Sequence, residues 1–220
     1  LSGEDLFIEQ LPSGDRGQVL QLLKEQAAAV DRFVAFNAAY AERMAELVGW
    51  DRSRITVIPH GIDLQGFPAM PPDLAVRREA RGGRLVVGYL ARACREKGLD
   101  QAIRAVGLLV EQGYDVELLA AGASVPVEAA YRADCWALAE QLGLADRVRW
   151  AGEVDRAGKI ELLQAVDLFV MPTPVPEAKG FPVIEAMAAG LPVVASDAGA
   201  FPELLGIPAA DPAGLVHAMA

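Results

Sequence analysis

From Leu85 onward, short apolar segments alternate with longer amphipathic ones. Helical patterns occur at Gly98–Gln112, Val127–Leu142, Arg156–Val166 and Pro182–Ala189. Runs rich in Val, Leu and Ala, without polar alternation, separate them and predict buried strands at Leu85–Leu90, Val116–Ala121, Val148–Ala151, Leu168–Met171 and Val193–Ala195. Strands that are apolar on both faces and alternate with helices of this length are typical of βαβ units. Because such crossovers are right-handed, the pattern predicts an α/β fold, a doubly wound, Rossmann-like parallel sheet.

The first 68 residues follow a different pattern, with two helices and two short strands. These are predicted at Gly17–Val30, Arg32–Phe36, Ala38–Val48 and Arg54–Ile58. Such a set does not close a core alone. We therefore interpret residues 1–68 as the end of an N-terminal domain with its linker, and residues 69–220 as the Rossmann-like domain.

The boundary between these two parts is expected at a proline-containing stretch, Phe67–Pro72, which is the predicted linker or hinge. The chain opens at Leu1 rather than at a methionine and stops at Ala220 within an apparent helix. We therefore expect it to be a fragment of a longer protein.

Composition narrows the class of partner. Thirty acidic and 20 basic side chains give a formal net charge of −10. Nucleic-acid binding depends mostly on phosphate neutralisation by Lys and Arg, so the charge argues against that partner and equally against an anionic membrane. No apolar run reaches the ~20 residues needed to span a bilayer. With 53% hydrophobic residues, the chain is expected to be soluble and globular.

The two cysteines favour a reducing compartment. Cys94 and Cys135 lie in different predicted elements, without a C-x-x-C pair or a histidine at metal-ligand spacing. Unpaired cysteines are typical of the cytoplasm, and the chain shows no signal peptide. We expect a cytoplasmic protein.

Basic residues are concentrated in one stretch. Residues 69–104 carry eight basic and four acidic side chains, a local net charge of +4. One interpretation is an anion site at Arg92 and Lys97, which follow the first strand of the predicted sheet. The other is a solvated Arg-rich loop around Arg77, Arg78 and Arg81.

The loop between Gly88 and Gly98 has the chemistry of an anion site. A strand runs into a loop that bears Arg92 and Lys97, and a helix opens at Gly98. Helix N-termini present unpaired N–H groups and partial positive charge, so anions bind there. Arginine grips phosphate oxygens with a two-pronged fork, and lysine adds a point charge. Together they could neutralise a diphosphate without a metal ion.

A second candidate site follows the strand that ends at Met171. A rigid Pro-rich loop leads into a helix for which Pro182 suits the first position and Gly190 the C-terminal stop. Glu177 lies on the loop and Glu185 in the first turns of the helix, so the two carboxylates are able to face one crevice. Gly180 would let backbone approach a ligand closely.

Four motifs in this chain, taken in order, resemble those of the retaining, two-Rossmann-domain (GT-B) nucleotide-sugar glycosyltransferases of glycosyltransferase family 4. They are Val57–Asp63 (VIPHGID), Arg92-x4-Lys97-Gly98, the E-x7-E element from Glu177 to Glu185, and Ala198–Glu203 (AGAFPE). The likeness covers about Asp31 to Glu203. It implies the donor-binding C-terminal domain of a hexosyltransferase.

The resemblance implies a role for each motif residue. Arg92 and Lys97 would hold the donor diphosphate and stabilise the leaving group, Glu185 would accept the ribose hydroxyls, and Glu177 would position the donor sugar. Backbone N–H groups would meet the sugar or the phosphates around Gly180, Phe181 and Pro182. The chain contains no D-x-D sequence, so we expect a site with no metal and no cofactor.

The mechanism implied by the resemblance is front-face substitution with retention, in which the leaving phosphate accepts the proton of the acceptor. Glu177 as a covalent nucleophile is the rival interpretation, and sugar positioning is preferred. The partners would be a nucleotide-diphosphate sugar and an acceptor that is a glycan, a lipid or a small molecule. The bias towards Arg and Ala suggests a bacterial source.

The chain departs from the family pattern at three places. His60 stands where the family usually has Asn, and is interpreted as a turn residue. Lys179 is interpreted as an exposed loop lysine. The segment Leu204–Asp211 is shorter than the Gly-rich turn and short strand that the family normally has before the next helix. The N-terminal acceptor domain would lie mostly outside the chain, which should bind donor better than it turns donor over.

Other functions share this fold. A sugar-nucleotide epimerase and a glycan phosphorylase are alternatives, although no motif suggests the lysine that a phosphorylase needs for a covalent cofactor. A non-catalytic nucleotide-binding or interaction module is a third, against which the presence of all four charged motif residues argues. A flavodoxin-like receiver domain would need clustered acids at the strand ends, and none occur.

Overall fold

The structure, a computed structural model, describes residue 1, residues 3–69 and residues 73–206. These residues form two compact units. The smaller unit comprises Leu1–Gly61, Pro176–Gly180 and residues 198–206, and the larger comprises Ile62–Val175 and Phe181–Asp197. The predicted terminal helix lies outside the described residues, as do most of the Leu204–Asp211 segment and the second half of the Phe67–Pro72 linker.

After the first two helices, strands and helices alternate along the described chain. The helices are α1 (Glu4–Gln10), α2 (Ser13–Gln26), α3 (Ala38–Val48), α4 (Leu74–Ala80), α5 (Leu99–Glu111), α6 (Ala129–Gln141), α7 (Arg156–Ala165), α8 (Phe181–Ala188) and α9 (Phe201–Leu204). The strands are β1 (Phe33–Ala35), β2 (Ile55–Val57), β3 (Leu85–Leu90), β4 (Val116–Ala121), β5 (Val148–Trp150), β6 (Leu168–Met171) and β7 (Val193–Ala195). Short 3₁₀ turns cover Ala27–Ala29, Arg52–Arg54, Arg95–Lys97 and Pro126–Glu128.

The larger unit is built on a five-stranded parallel sheet with the order β5-β4-β3-β6-β7. On one face, α5 and α6 pack over β3 and β4 through a buried apolar cluster that includes Tyr89, Ile103, Leu118 and Cys135. On the other face Gly88 lies so close to Val166 that a Cβ atom would approach a valine methyl to 2.8 Å. Both faces of the central strand are covered, which confirms the predicted Rossmann-like fold.

The five strands of this sheet lie where the apolar runs predict them, with β5 one residue shorter at Trp150. The bounds of the helices between these strands agree with the predicted bounds to within a few residues. Of the two interpretations of the basic stretch, the solvated Arg-rich loop is wrong in its secondary structure, because Arg77 and Arg78 lie on a helix, α4. Its N-cap Asp73 accepts from two backbone amides, and Arg81 lies 2.7 Å from the buried carboxylate of Asp167.

The smaller unit is organised around α3. One side of α3, with Ala41 and Ala45, packs on the parallel pair β1 and β2. Another side, with Tyr40, Met44 and Val48, packs against leucines of α2. The amphipathic pattern of α3 predicts its bounds, whereas α1 was not predicted and α2 begins four residues earlier than expected.

None of the helices in the described part of the chain is both long enough and apolar enough to cross a membrane.

Candidate active site

The larger unit offers a ligand site at the carboxyl ends of β3 and β6. From β3 the chain continues to β4 on one side of the sheet, while β6 pairs with β3 on the other side. This is the point at which the strand order reverses, and doubly wound sheets bind ligands in the crevice that such a reversal opens. The loops that follow β3 and β6 therefore flank the expected binding crevice.

Arg92 lies on the first of these loops, two residues after β3. Its Nη2 donates to Sγ of Cys94 at 3.7 Å, and its Nε lies 3.0 Å from Oε1 of Glu128. The contact with Cys94, and then the charge of Glu128, raise the pKa of Arg92 above its usual range. The side chain is 51% exposed, so a charged fork with five N–H donors is held at the surface in a fixed direction.

Lys97 ends a 3₁₀ turn, and its carbonyl accepts a hydrogen bond of 3.1 Å from the hydroxyl of the buried Tyr89. Gly98, the next residue, has a φ of 71° and is the N-cap of α5. A Cβ atom at Gly98 would lie 2.1 Å from the carbonyl oxygen of Pro172. The two loops therefore meet at Gly98, and only glycine fits there.

Glu185 lies in the second turn of α8 and is buried. Its Oε1 is 2.7 Å from the Nζ of Lys159 on α7. The start of α7 is fixed by Asp155, whose side chain accepts from the amide of Gly158 at 2.8 Å. The carboxylate is therefore oriented by a cation, and its remaining lone pairs can accept hydroxyl groups.

The backbone donors expected around α8 need one correction. Proline has no backbone N–H, so Pro182 cannot donate to a ligand. The helix begins one residue earlier than predicted, at Phe181, directly after Gly180. The amide of Gly180 lies 3.4 Å from Oε1 of Glu177, within the loop itself.

Glu177 belongs to the smaller unit and is fixed by its backbone. It forms an isolated β-bridge with Gly199, and its carbonyl accepts from the amide of Ala200 at 2.7 Å. Gly199 has a φ of 65°, and a Cβ atom there would lie 2.3 Å from the Glu177 carbonyl oxygen. Oε1 of Glu177 also accepts from the amide of Lys179 at 3.2 Å. The loop is thus a closed turn with a defined direction for the carboxylate.

His60 also belongs to the smaller unit. Its ring makes an edge-to-face contact with Phe36, with centroids 4.9 Å apart. Burial, followed by the positive charge of Lys179, lowers the pKa of His60. Lys179 itself is half-buried, so its description as an exposed loop lysine was wrong.

Beside Glu177, the smaller unit contains a cavity of about 270 Å³ lined by Asp5, Tyr40, Arg43, Pro176 and Gly199, among others. Among the described residues, no group of three or more His, Cys, Asp or Glu side chains is arranged to hold a metal ion.

Sequence reasoning missed Lys159 and Glu128, which contact Glu185 and Arg92. Neither is part of a motif, and each reaches its partner only through the packing of the sheet. No local pattern could have indicated them.

The chain matches the family described as "Glycosyl transferases group 1" over residues 74–207. It is 33% identical over 182 residues to the D-inositol 3-phosphate glycosyltransferase of Nocardia farcinica, covering 80% of this chain and 40% of that protein. It is 35% identical over 154 residues to the lipopolysaccharide core biosynthesis mannosyltransferase LpsB of Rhizobium meliloti, covering 68% of this chain and 42% of that protein. The chain thus spans about two fifths of the length of these curated relatives.

Among solved structures, the chain is similar to HepE of Anabaena in complex with UDP. The TM-score is 0.74 at 28% identity, and the match covers 89% of this chain and 52% of that one. The same protein in complex with UDP-glucose matches with a TM-score of 0.72 at 26% identity, over 88% of this chain and 51% of that one. The family match extends over more than half of the residues, and the fold is that of GT-B glycosyltransferases. The chain belongs to the glycosyl transferases group 1 family.

Proposed function

We propose that this chain is the donor-binding part of a retaining hexosyltransferase of glycosyltransferase family 4, which transfers a sugar from a nucleotide-diphosphate sugar to an acceptor. The observation that carries the proposal is the position of Arg92 and Lys97 in the loop after β3, at the reversal of strand order, in a chain of this family. Residues 69–220 would form the donor domain, and residues 1–68 would be the end of the acceptor domain.

Arg92 and Lys97 would bind the two phosphates of the donor. Arg92 is half-exposed and charged, and Lys97 directly precedes Gly98, the N-cap of α5, whose first N–H groups add partial positive charge. As the glycosidic bond breaks, negative charge grows on the leaving phosphate. Fixed cations at that position stabilise the transition state more than the ground state.

Glu185 would accept the two ribose hydroxyls of the nucleotide. Its contact with Lys159 supports this role, because it fixes the carboxylate and offsets a negative charge that would otherwise repel the diphosphate. Glu177 would hold the hydroxyls of the donor sugar. The closed turn from Glu177 to Gly180 supports that role, since it aims the carboxylate.

The reaction would follow front-face substitution. The bond between the anomeric carbon and the phosphate oxygen breaks, the acceptor oxygen bonds to the same face, and the acceptor proton moves to the departing phosphate. In this scheme Glu177 positions the sugar and does not form a covalent intermediate, and neither a metal nor a cofactor takes part. The cytoplasm, where nucleotide sugars are made, is the compartment that fits this donor.

The thermal unfolding of this chain with a panel of ligands tests the proposal. UDP, GDP, ADP and their conjugates UDP-glucose, GDP-mannose and ADP-glucose would be added with and without EDTA. A ligand at 100 times its Kd stabilises the folded chain by about 2.7 kcal/mol, which raises the Tm by about 5–10 °C at this size. A rise for one nucleotide family, unaffected by EDTA, is expected, and no rise for any ligand would contradict the proposal.

Two substitutions separate the roles of the carboxylates. Glu185→Gln should weaken UDP and UDP-glucose equally, because both carry the ribose. Glu177→Gln should weaken only the conjugate. Glu161→Gln, at an exposed position of α7, is the matched control and should change neither. Equal losses of both ligands in Glu177→Gln would contradict its role in sugar binding.

A further inference from the structure

We propose that Asn37 and Glu203 are positioning residues for the loop that carries Glu177, and that they act through the N-terminus of α3. The inference rests on the proposed role of Glu177 in binding the donor sugar. Neither residue is needed to contact the donor. Asn37 holds the residue that follows Glu177 in the sequence, and Glu203 holds the segment that pairs with the Glu177 backbone.

Asn37 makes two hydrogen bonds of different kinds. The side chain is buried, with 1% of its surface exposed. Its Oδ1 accepts from the amide of Tyr40 at 2.8 Å, which makes Asn37 the N-cap of α3. Its Nδ2 donates to the carbonyl of Ala178 at 2.7 Å, across a separation of 141 positions in the chain. One side chain therefore starts the helix and holds the residue that follows Glu177.

Glu203 is bound to the same helix end. Its Oε2 accepts from the amide of Ala38 at 2.7 Å and from that of Ala39 at 3.4 Å. The first amides of a helix lack partners within the helix and carry partial positive charge, so a carboxylate is well suited to them. Glu203 thereby ties α9 to α3.

The segment that leads into α9 is the one that contacts Glu177. Gly199 forms the β-bridge with Glu177, and the amide of Ala200 donates to the Glu177 carbonyl. Asn37 thus fixes the Glu177 loop directly, and Glu203 fixes the segment that supports it. Both constraints end at the first turn of α3.

We expect loss of these constraints to weaken binding of the donor sugar and not of the nucleotide. Without the amide of Asn37, the part-buried Ala178 carbonyl loses its donor, and the turn that closes on the Glu177 carboxylate can relax. The residues proposed for the nucleotide, Arg92, Lys97 and Glu185, belong to the other unit and keep their own contacts. Loss of the Asn37 contact should therefore weaken binding of the sugar conjugate alone.

Two substitutions of Asn37 separate its two bonds. Asn37→Ser keeps an N-cap of nearly equal strength but is too short to reach Ala178. Asn37→Asp keeps the shape and the cap but replaces the donor with an acceptor. In both variants UDP affinity should stay within about twofold, whereas UDP-glucose affinity should fall by up to about tenfold, the factor expected when the free energy of one part-buried hydrogen bond is no longer available to hold the loop.

Hydrogen–deuterium exchange provides a readout that needs no ligand. The amides of Lys179 and Gly180, which donate to the Glu177 carboxylate, should exchange faster in Asn37→Ser than in the wild-type chain. Glu203→Ala should produce the same change in exchange and in selectivity. Asp73→Ser, which alters the N-cap of α4, is the matched control and should leave both unchanged.

Several outcomes would overturn the inference. They are unchanged UDP-glucose affinity in Asn37→Ser, equal losses of UDP and UDP-glucose, or unchanged exchange at Lys179 and Gly180. If Glu177→Gln lowers affinity for UDP-glucose alone and Asn37→Ser does not, the positioning role fails while the proposed function stands. If the wild-type chain binds no nucleotide sugar, the proposed function fails and the exchange rates alone decide the positioning role.

Discussion

The ammonium of Lys159 lies 2.7 Å from the Glu185 carboxylate, and this contact joins α7 to α8 beside the reversal of strand order. The lysine side chain is 32% exposed and the glutamate side chain 11% exposed. A carboxylate so nearly buried is costly without a partner. The pair therefore presents oxygen acceptors to a ligand with little net negative charge.

Lys159→Met should weaken UDP binding by about twofold to fivefold, the range expected for a partly exposed ion pair. The loss arises because Glu185 would then face the diphosphate with its full negative charge. Isothermal titration calorimetry with UDP measures this effect. The loss should shrink at high salt, since screening reduces the repulsion.

Lys159→Arg is the conservative control, because it keeps the positive charge next to Glu185. It should bind UDP within about twofold of the wild-type chain. Lys24→Met, a substitution near the end of α2 in the smaller unit, controls for the loss of one positive charge. Wild-type UDP affinity in Lys159→Met would contradict the role of the pair.

Arg92→Ala should abolish binding of UDP in the range where the wild-type chain saturates, because the arginine fork is proposed to hold the diphosphate. From the sequence alone we expect little effect on stability, since exposed substitutions usually stay within about 0.5 kcal/mol. The structure changes that expectation. Glu128, 13% exposed, would lose its cation, so a loss of about 1 kcal/mol is expected in urea unfolding.

The double variant Arg92→Ala/Glu128→Gln separates the two effects. Removing the charge of Glu128 should restore stability but not UDP binding. Arg104→Ala, at an exposed position of α5, should change neither. Normal UDP binding by Arg92→Ala, or recovery of binding in the double variant, would refute the phosphate assignment.

Strands β3, β4 and β6 and the helices that join them could be predicted, because these strands are buried or half-buried along their length and are apolar except at Glu117 of β4. The hydrophobic pattern failed to predict α1 and α4, two helices that are held in place by few or no buried residues. Helix α4 buries none of its residues and is held by the Asp73 cap and by arginine contacts such as Arg81 with Asp167. Helix α1 buries only Asp5 and Ile8. Hydrophobic periodicity therefore did not indicate α1 or α4, whereas it placed α2, which also buries no residue, four residues too late.

The candidate site also has a part that the sequence could predict and a part that it could not. The positions of Arg92, Lys97 and Glu185 on a loop or a helix follow from local strand–loop–helix patterns, which the sequence displays. The partners of these residues follow from packing between distant segments. Asn37 and Ala178, for example, are 141 positions apart, and no spacing rule relates them.

Gly98→Ala should destabilise the chain by about 3 kcal/mol or more, because alanine would combine a left-handed backbone with overlap of the Pro172 carbonyl. Gly113→Ala is the matched control. Gly113 also has a positive φ, of 90°, but a Cβ atom there has open space around it. Gly113→Ala should lower the free energy of unfolding only by the backbone strain, about 1–2 kcal/mol. Urea unfolding measures both, and equal losses would show that the close approach to Pro172 is unimportant.

The pH dependence of stability should report the environment of His60. Burial and the charge of Lys179 lower its pKa in the folded chain, whereas the unfolded chain keeps a pKa of about 6.5. As pH falls through about 6.5, the unfolded state takes up the proton first, and the free energy of unfolding decreases. Stability from the neutral imidazole is thus present above that pH and lost below it.

His60→Asn removes this titration. Between pH 7.5 and 5.5 the wild-type chain should therefore lose more stability than His60→Asn, measured as the Tm at each pH. Carboxylates titrate in both proteins and cancel in the comparison. Lys179→Met should lose less stability than the wild-type chain over this pH range. The substitution removes the second cause of the lowered His60 pKa but leaves burial in place. Parallel plots of Tm against pH for the wild-type chain and His60→Asn would contradict this prediction. They would show that His60 has the same pKa in the folded and unfolded states, and therefore that Lys179, on the loop that carries Glu177, does not shift it.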